Sequence, residues 1–230
     1  MRCSHLNRAL YFRQIFVRLR GKMVFPVALE SDGEEKPILR FKDKSGIEHP
    51  YFVADSALAK RLSGLTQIMH DLNHAHELMA MIKDIDNSEI AYSLWMSAIV
   101  TYGKCFAKAK GRKSKIEEVH VEKVGDGAVN FHRSIIDLRN EYFAHAGDND
   151  FEKASTVVIL EPESQGRGVA SVQHFNAKHS KPSEEFCVYF CYLCRKLYDV
   201  VESIGEEVHE LVLKEYRSME LDQLYSKVKI

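Results

Sequence analysis

The stretch "DSALAKRLSGLTQIMHDLNHAHELMAMIK", from Asp55 to Lys83, decides the fold class. Its apolar residues recur every three or four positions, the spacing that places side chains on one face of an α-helix. Three further segments share this period: Asp86 to about Lys110, Asp126 or Gly127 to Gly147, and Ser183 to about Tyr216. Asp86 and Ser183 are the expected N-caps of their helices, and Gly147 is the expected C′ glycine. The sequence therefore predicts a mainly α fold, a bundle of about four long helices.

Two short regions have the composition of β-strands instead. Between Lys36 and Phe52, two β-prone runs flank a Lys-Asp-Lys-Ser-Gly turn, and at about 155–176 "STVVILEP" and "GVASVQHF" flank the turn "QGRG". Each region predicts a small antiparallel hairpin. The glycines of "QGRG" lack the strand-to-helix context of a phosphate-binding loop, so we assign them to the turn alone.

These elements divide the chain into four parts. Residues 1–22 form a basic extension without an acidic residue, 23–54 carry the first hairpin, 55–218 form the helical domain with the second hairpin, and 219–230 form a tail. The extension has the composition of a transit peptide, of a basic arm, or of upstream sequence joined before a true start at Met23. The sequence leaves these three alternatives open.

The amino-acid composition bears on three properties: nucleic-acid binding, membrane insertion and the redox compartment. Basic and acidic residues number 32 and 33, so nucleic-acid binding would depend on local clusters. No apolar run reaches the roughly 18 residues of a membrane span. The five cysteines are odd in number and no secretory signal precedes them, which predicts a reduced, cytoplasmic protein.

The third helical segment ends in "DLRNEYFAHAGDND", from Asp137 to Asp150. Arg139 and His145 are six positions apart, about 240° around an ideal helix, so they do not share a face. They can act together only if the helix deforms at its end, or if two copies of the chain contribute to one cleft. The structural alternative is a histidine in the last turn that interacts with the helix dipole.

"RNEYFAH", from Arg139 to His145, resembles the motif of HEPN domains (higher eukaryotes and prokaryotes nucleotide-binding). In that motif an arginine and an adjacent polar residue precede a histidine near a helix end. "LRNEYFAH" is similar to abortive-infection, phage-exclusion members, and "SLWMSAIVTYGKCFAKAKGR" from Ser93 extends the resemblance over about Asp55 to Tyr216. The resemblance implies a HEPN-like helical bundle, a homodimer, and a role in prokaryotic phage defence or a toxin–antitoxin system, with an antitoxin or nucleotidyltransferase as partner.

Many HEPN domains are metal-independent endoribonucleases, which implies a role for each residue of the motif. Cleavage of RNA by its own 2′-hydroxyl needs proton transfer, and histidine titrates near neutral pH, so His145 is the candidate acid and base. Arg139 would hold the phosphate oxygens with its planar fork. Asn140 would orient the histidine or the substrate, and Glu141 and Tyr142 are further candidates. No metal or other cofactor is expected.

The run "KCFAKAKGRKSK" is the candidate RNA-binding surface. It contains six cations and no acidic residue: Lys104, Lys108, Lys110, Arg112, Lys113 and Lys115. Such a cluster binds phosphates in a salt-dependent way. The structural alternative is a solvated helix end whose cations interact with the dipole.

Three cysteines, Cys187, Cys191 and Cys194, have the C-x3-C-x2-C spacing of iron–sulfur ligands. The residues between them continue the helical pattern, and no glycine-rich loop accompanies them. We therefore interpret these cysteines as small core residues.

His70 and His74 lie four positions apart on one predicted helix face, a spacing that can bind a metal. A solvated or core helix face explains them more simply. Three function classes result: RNA cleavage or binding by a HEPN-like protein, a non-catalytic helical interaction or dimerisation module, and metal-dependent hydrolysis through His70 and His74.

Overall fold

The structure is a computed structural model that describes residues 27–30, 38–42, 45–143, 152–178 and 181–228. The described residues form a mainly helical protein with small antiparallel sheets, which confirms the predicted class. They divide into two compact units. The larger unit spans Ala57–His209, and the smaller consists of the described residues up to Ser56 and from Glu210 onward.

The described chain contains four principal helices, as the periodicity predicts. They are α1 (Ala57–Met81), α2 (Ser88–Lys104), α4 (Ala128–Leu138) and α5 (Glu184–Arg217). A short helix, α3 (Glu118–Glu122), precedes α4 and was not predicted, because five residues are too few to show a helical period.

The core of the larger unit is built from one apolar face of each principal helix. Burying a large aliphatic or aromatic side chain contributes about 1.5–3 kcal/mol relative to leaving it exposed. Side chains with almost no exposed surface include Ile68, Leu72, Met79, Trp95, Ile99, Tyr102, Ile135, Phe190, Leu193 and Leu197.

The start of α2 differs by one residue from the predicted position. Asn87 is the N-cap, and its Oδ1 accepts hydrogen bonds from the backbone amides of Glu89 at 3.0 Å and Ile90 at 3.1 Å. The expected cap, Asp86, therefore lies outside the helix. Both residues have suitable side chains, and the backbone conformation of Asn87 decides between them.

The end of α2 lies at Lys104, six residues before the expected end at Lys110. The chain turns back there, because the amide of Ile116 donates to the carbonyl of Cys105 at 2.9 Å. The guanidinium of Arg112 donates to the carbonyl of Lys104 at 3.2 Å. These bonds use carbonyls that a longer helix would have paired internally.

The remaining helix ends agree better with the sequence. α4 follows Gly127, whose φ of 79° lies in the left-handed region that favours glycine. Ser183 caps α5 as predicted, with its Oγ accepting from the amide of Phe186 at 3.2 Å, and α5 continues past Gly205 without a break. The predicted C′ glycine of the third helical segment, Gly147, lies outside the described residues.

Both predicted hairpins are present. In the smaller unit, β2 (Ile38–Lys42) pairs antiparallel with β3 (Glu48–His49), and an unpredicted strand, β1 (Val27–Glu30), extends this sheet on the other side of β2. In the larger unit, β4 (Glu152–Leu160) pairs antiparallel with β5 (Val169–Lys178), with a register shift between Ile159 and Leu160.

In the smaller unit, residues before α1 pack on the end of α5 and on the residues after it. The rings of Phe52 and Tyr216 are 5.7 Å apart, and Ser56 donates a 2.8 Å hydrogen bond to Glu215. Lys227, which follows the short helix α6 (Leu221–Tyr225), lies 5.6 Å from the ring centre of Phe52. The predicted basic extension, residues 1–22, lies outside the described residues.

Candidate functional site

The RNEYFAH motif begins where α4 changes from an α-helix to a π-turn. Residues Arg139–Phe143 form this turn, and the amide of Arg139 is shared between the carbonyls of Ile135 and Ile136. π-Turns are rare and occur often at functional sites. The helix is therefore deformed at its end, which is one of the two conditions under which Arg139 and His145 could act together. His145 lies outside the described residues, so its pairing with Arg139 stays a prediction.

Arg139 lies flat against α2 at Gly103. A Cβ added to Gly103 would lie 2.3 Å from Cδ of Arg139 and 2.8 Å from its Nε, so only glycine leaves room for the arginine. The guanidinium donates a 2.9 Å hydrogen bond from Nη1 to Oδ1 of Asn140. The candidate pair Arg139 and Asn140 is thus brought together, half-buried, beside the end of α2.

The guanidinium of Arg139 retains unused donor capacity. Its Nε is buried and has no hydrogen-bond acceptor among the described residues, and no described carboxylate forms an ion pair with it. Leaving a buried donor without an acceptor costs about 1–3 kcal/mol, so native structures seldom contain one. A phosphate oxygen is a strong acceptor for such a donor.

Tyr142 and Phe143 anchor the π-turn in an aromatic cluster. The ring of Phe143 lies 5.1 Å from that of Trp95, and the ring of Tyr142 lies 6.1 Å from it. Tyr142 is buried, while Glu141 is exposed. The burial of Tyr142 shows that it packs in the core. The sequence motif alone could not distinguish this packing role from a catalytic one.

The cationic run after α2 is divided by the fold. Arg112 pairs with the buried carboxylate of Asp71, and Lys104 lies 3.2 Å from the other oxygen of the same group. The side chain of Arg112 is only 11% exposed, so this arginine holds the loop on α1. Lys108 and Lys110 are exposed.

Two cations of the run line a surface groove with residues from elsewhere in the chain. Lys113 and Lys115 face the same space as Arg61 of α1 and His120 of α3, with a cavity volume of about 340 Å³. We call these four residues the basic groove. Ser114 fixes the loop by donating to the carbonyl of Arg61 at 2.9 Å. The groove also contains Glu117, whose carboxylate lies 3.3 Å from Nζ of Lys115.

The sequence pattern does not assign Arg61 or His120 to a site. Neither lies in the cationic run, and nothing in the local pattern around them indicates a ligand. Only the packing of the loop and α3 against α1 brings them beside Lys113 and Lys115.

The histidine-rich part of α1 is dispersed around the helix. The rings of His70 and His74 stack with centres 6.4 Å apart on the exposed face, whereas Asp71 is paired with cations. Burial, reinforced by the nearby charge of Arg195, lowers the pKa of His76. No group of three potential ligands is placed to hold a metal within the described ranges.

The three cysteines of α5 lie within the helix, as their spacing and neighbours indicate. Cys194 is buried, and burial raises the pKa of its thiol well above the usual value. Burial also raises the pKa of Cys191 to about 11. All three cysteines lie in one continuous helix, and among the described residues no group of three potential ligands is placed to hold a metal, so they fit packing better than an iron–sulfur site.

No family model, curated protein or solved structure matches this chain. None of the described helices has the length and apolar character needed to cross a membrane. The resemblance to HEPN domains therefore depends on the RNEYFAH motif and on the order of the helices.

Proposed function

We propose that the chain is a HEPN-like, metal-independent endoribonuclease whose site is centred on Arg139. The observation that carries the proposal is the half-buried guanidinium beside Asn140, held in a π-turn with an unused Nε donor. Arg139 as a whole is only half-buried, so an RNA phosphate would bind the exposed part of its guanidinium, and a small shift of the side chain away from Gly103 would bring Nε to the same phosphate. The positive guanidinium would stabilise the negative charge that develops on the phosphorane.

The reaction proposed needs only RNA and protein side chains. The 2′-oxygen attacks the adjacent phosphorus, the P–O5′ bond breaks, and the products carry a 2′,3′-cyclic phosphate and a 5′-hydroxyl. His145 takes the proton from the 2′-hydroxyl and returns a proton to the departing 5′-oxygen. Asn140 orients the guanidinium. The motif resemblance further supports a homodimer and a role in phage defence or a toxin–antitoxin system.

Cleavage of RNA in the presence of EDTA tests this function. We expect Arg139→Ala to lower the rate by about 100- to 1,000-fold, as does loss of one donor to a developing charge. Removing the proton-transfer group in His145→Ala should lower it by about 100- to 10,000-fold. Arg139→Lys keeps the charge but loses the fork, so its rate should lie between those of the wild type and Arg139→Ala.

Arg133→Ala is the matched control for these substitutions. Arg133 lies on the same helix, but its guanidinium is exposed and pairs with Glu118 at 2.6 and 3.0 Å. Its removal should leave cleavage unchanged. Equal activity in the wild type, Arg139→Ala and His145→Ala would identify a contaminating nuclease. The absence of cleavage of several RNAs by the wild type would contradict an autonomous enzyme.

We infer that the basic groove binds RNA phosphates outside the cleavage point. If it does, Arg61→Ala or Lys113→Ala should each reduce the slope of log K against log salt by about 0.7 on single-stranded RNA. Lys110→Ala is the control, because Lys110 belongs to the same sequence run but does not line the groove. An equal change for Lys110→Ala would assign binding to the whole run.

A second candidate function is the non-catalytic helical module. The observation that favours it is that Arg139 already has an internal partner, Asn140, and an internal packing site at Gly103. Under this alternative, Arg139→Ala lowers stability and leaves any RNA cleavage unchanged. The stability and cleavage measurements on the same variant therefore separate the two functions.

A further inference from the structure

β4 and β5 form a two-stranded arm, Glu152–Lys178, with both faces exposed. Every side chain that the structure describes between Ala154 and Asn176 is exposed, and within the described chain neither strand makes more than isolated contacts with a helix. Seven large apolar side chains of the arm are between 40% and 66% exposed. A two-stranded hairpin alone is marginally stable in water. The arm therefore lacks the packing that such an element needs.

The register of the arm places apolar side chains on both faces. Val158 lies opposite Val172, so both project from one face, while Val157 and Ile159 project from the other, where Phe175 lies opposite Ser155. A sheet that covers a core on one side alternates apolar and polar residues. This arm does not, which indicates that both of its faces are covered in the functional state.

The strand edges also lack the usual protection against pairing. Exposed edges are normally blocked by proline or by charged residues, especially lysine. Neither Ala154–Leu160 nor Val169–Ala177 contains a proline or a residue with a formal charge at pH 7. The register shift at Ile159 and Leu160 is the single irregularity between the paired strands. Most of each edge is thus open to another chain.

We propose that the arm is the surface through which two copies of this chain associate. The area of the arm favours a second copy. Nine residues at about 3.3 Å each and two strands about 4.8 Å apart give roughly 300 Å² for each face in outline. A different protein that bound only the arm would cover its two faces, about 600 Å². This area is less than the roughly 800 Å² that each partner buries in a stable interface.

A two-fold dimer reaches the required area. Each copy then buries one face of its arm against the partner's arm and the other face against the helices of the partner's larger unit. It also contributes the surface that receives the partner's arm, which adds about 300 Å² and gives about 900 Å² per copy. Dimerisation through the arm does not require RNA cleavage. A monomeric protein would therefore refute the arm interface without deciding whether the chain cleaves RNA, and the reverse also holds.

Sedimentation velocity of the full chain tests the proposal, with Val158→Glu combined with Val172→Lys as the variant. The two residues lie opposite each other, so the new charges can pair across the strands and keep the hairpin formed. The charges nevertheless oppose burial of the face, and we expect the dimer dissociation constant to rise by about 100-fold or more. Val119→Lys is the control, because Val119 is similarly exposed, at 51%, on α3.

A wild-type dimer that the double substitution dissociates, and Val119→Lys does not, supports the proposal. A wild type that is monomeric at tens of micromolar, or a double variant that remains dimeric, overturns it. Should the variant fold poorly, hydrogen exchange of the wild type gives a second test. Because association would stabilise the hairpin as a whole, the amides of β4 and β5 should become more protected as protein concentration rises, and protection independent of concentration overturns the proposal.

Discussion

Replacing Gly103 by alanine tests whether α2 fixes the position of Arg139. The added Cβ would lie 2.3 Å from Cδ of Arg139, far closer than the roughly 3.5–4.0 Å at which carbon atoms make contact. The arginine side chain must therefore move. Gly205 is a matched control inside α5, because a Cβ there meets no atom of the described chain within 4 Å.

Both substitutions gain the helix propensity of alanine, but only Gly103→Ala also introduces overpacking. Alanine is about 0.8–1.0 kcal/mol better than glycine in a helix interior, somewhat less at Gly103, one residue from the end of α2. Gly205→Ala should therefore raise the free energy of unfolding by about 1 kcal/mol, or Tm by about 2–4 °C. At Gly103, overpacking costs about 1–3 kcal/mol, so the net change should range from about zero to a loss of about 2 kcal/mol.

Urea titration of both variants measures this difference, and RNA cleavage measures its consequence. A displacement of about 1 Å at a catalytic group can lower a rate by about 100-fold, so Gly103→Ala should lose activity while Gly205→Ala keeps it. If Gly103→Ala raises the free energy of unfolding as much as Gly205→Ala does, Arg139 can move aside without an energetic cost. The close packing would then place no restraint on the arginine.

Three other predictions concern stability and reactivity. Asp71→Ala removes the carboxylate that pairs with the largely buried guanidinium of Arg112, which then keeps only its bond to the carbonyl of Lys104, and should lower the free energy of unfolding by about 3 kcal/mol in urea titrations; a loss below about 0.5 kcal/mol would contradict the pairing. Burial lowers the pKa of His132, so its contribution to stability is complete above about pH 6.5 and is lost as pH falls through the lowered pKa, by up to about 1.4 kcal/mol per pH unit. His132→Gln should flatten that part of the pH–stability curve, and an unchanged slope would assign it to other groups. Burial raises the pKa of Cys105 to about 12 and that of Cys194 well above its usual value, so mass mapping should find both unalkylated by iodoacetamide at pH 8 until urea unfolds the chain.

The sequence predicts the helices well because each carries a long apolar stripe. The faces of α1 and α5 repeat over many turns, and a pattern of that length is hard to produce by chance. Helix ends depend instead on single bonds. Asn87 and Asp86 are equally good caps by residue type, and the early end of α2 depends on the bond from Ile116 to Cys105, eleven positions along the chain.

The candidate site was predictable only where it is local in sequence. Arg139 and Asn140 are adjacent, so their interaction follows from the motif, and the cationic run is continuous. The partners supplied by other elements were not predictable. Asp71 takes Arg112 out of the exposed cationic surface, and Arg61 extends that surface from a different helix. Such pairs depend on how the loop after α2 packs on α1, which no local pattern encodes.

Mixing two inactive variants shows whether the proposed site is shared between two copies. Arg139→Ala and His145→Ala each remove one half of the pair. In a one-to-one mixture about half of the dimers contain both variants, and a shared site leaves one intact site in each of them, so about a quarter of the wild-type activity should return. If Arg139 and His145 of the same copy act together across the π-turn, every site contains a defect and no activity returns. Adding the Val158→Glu and Val172→Lys substitutions to both variants should abolish the recovery, because a shared site needs the dimer. Recovery that persists with the charged arm would place the dimer contact elsewhere while retaining the shared site.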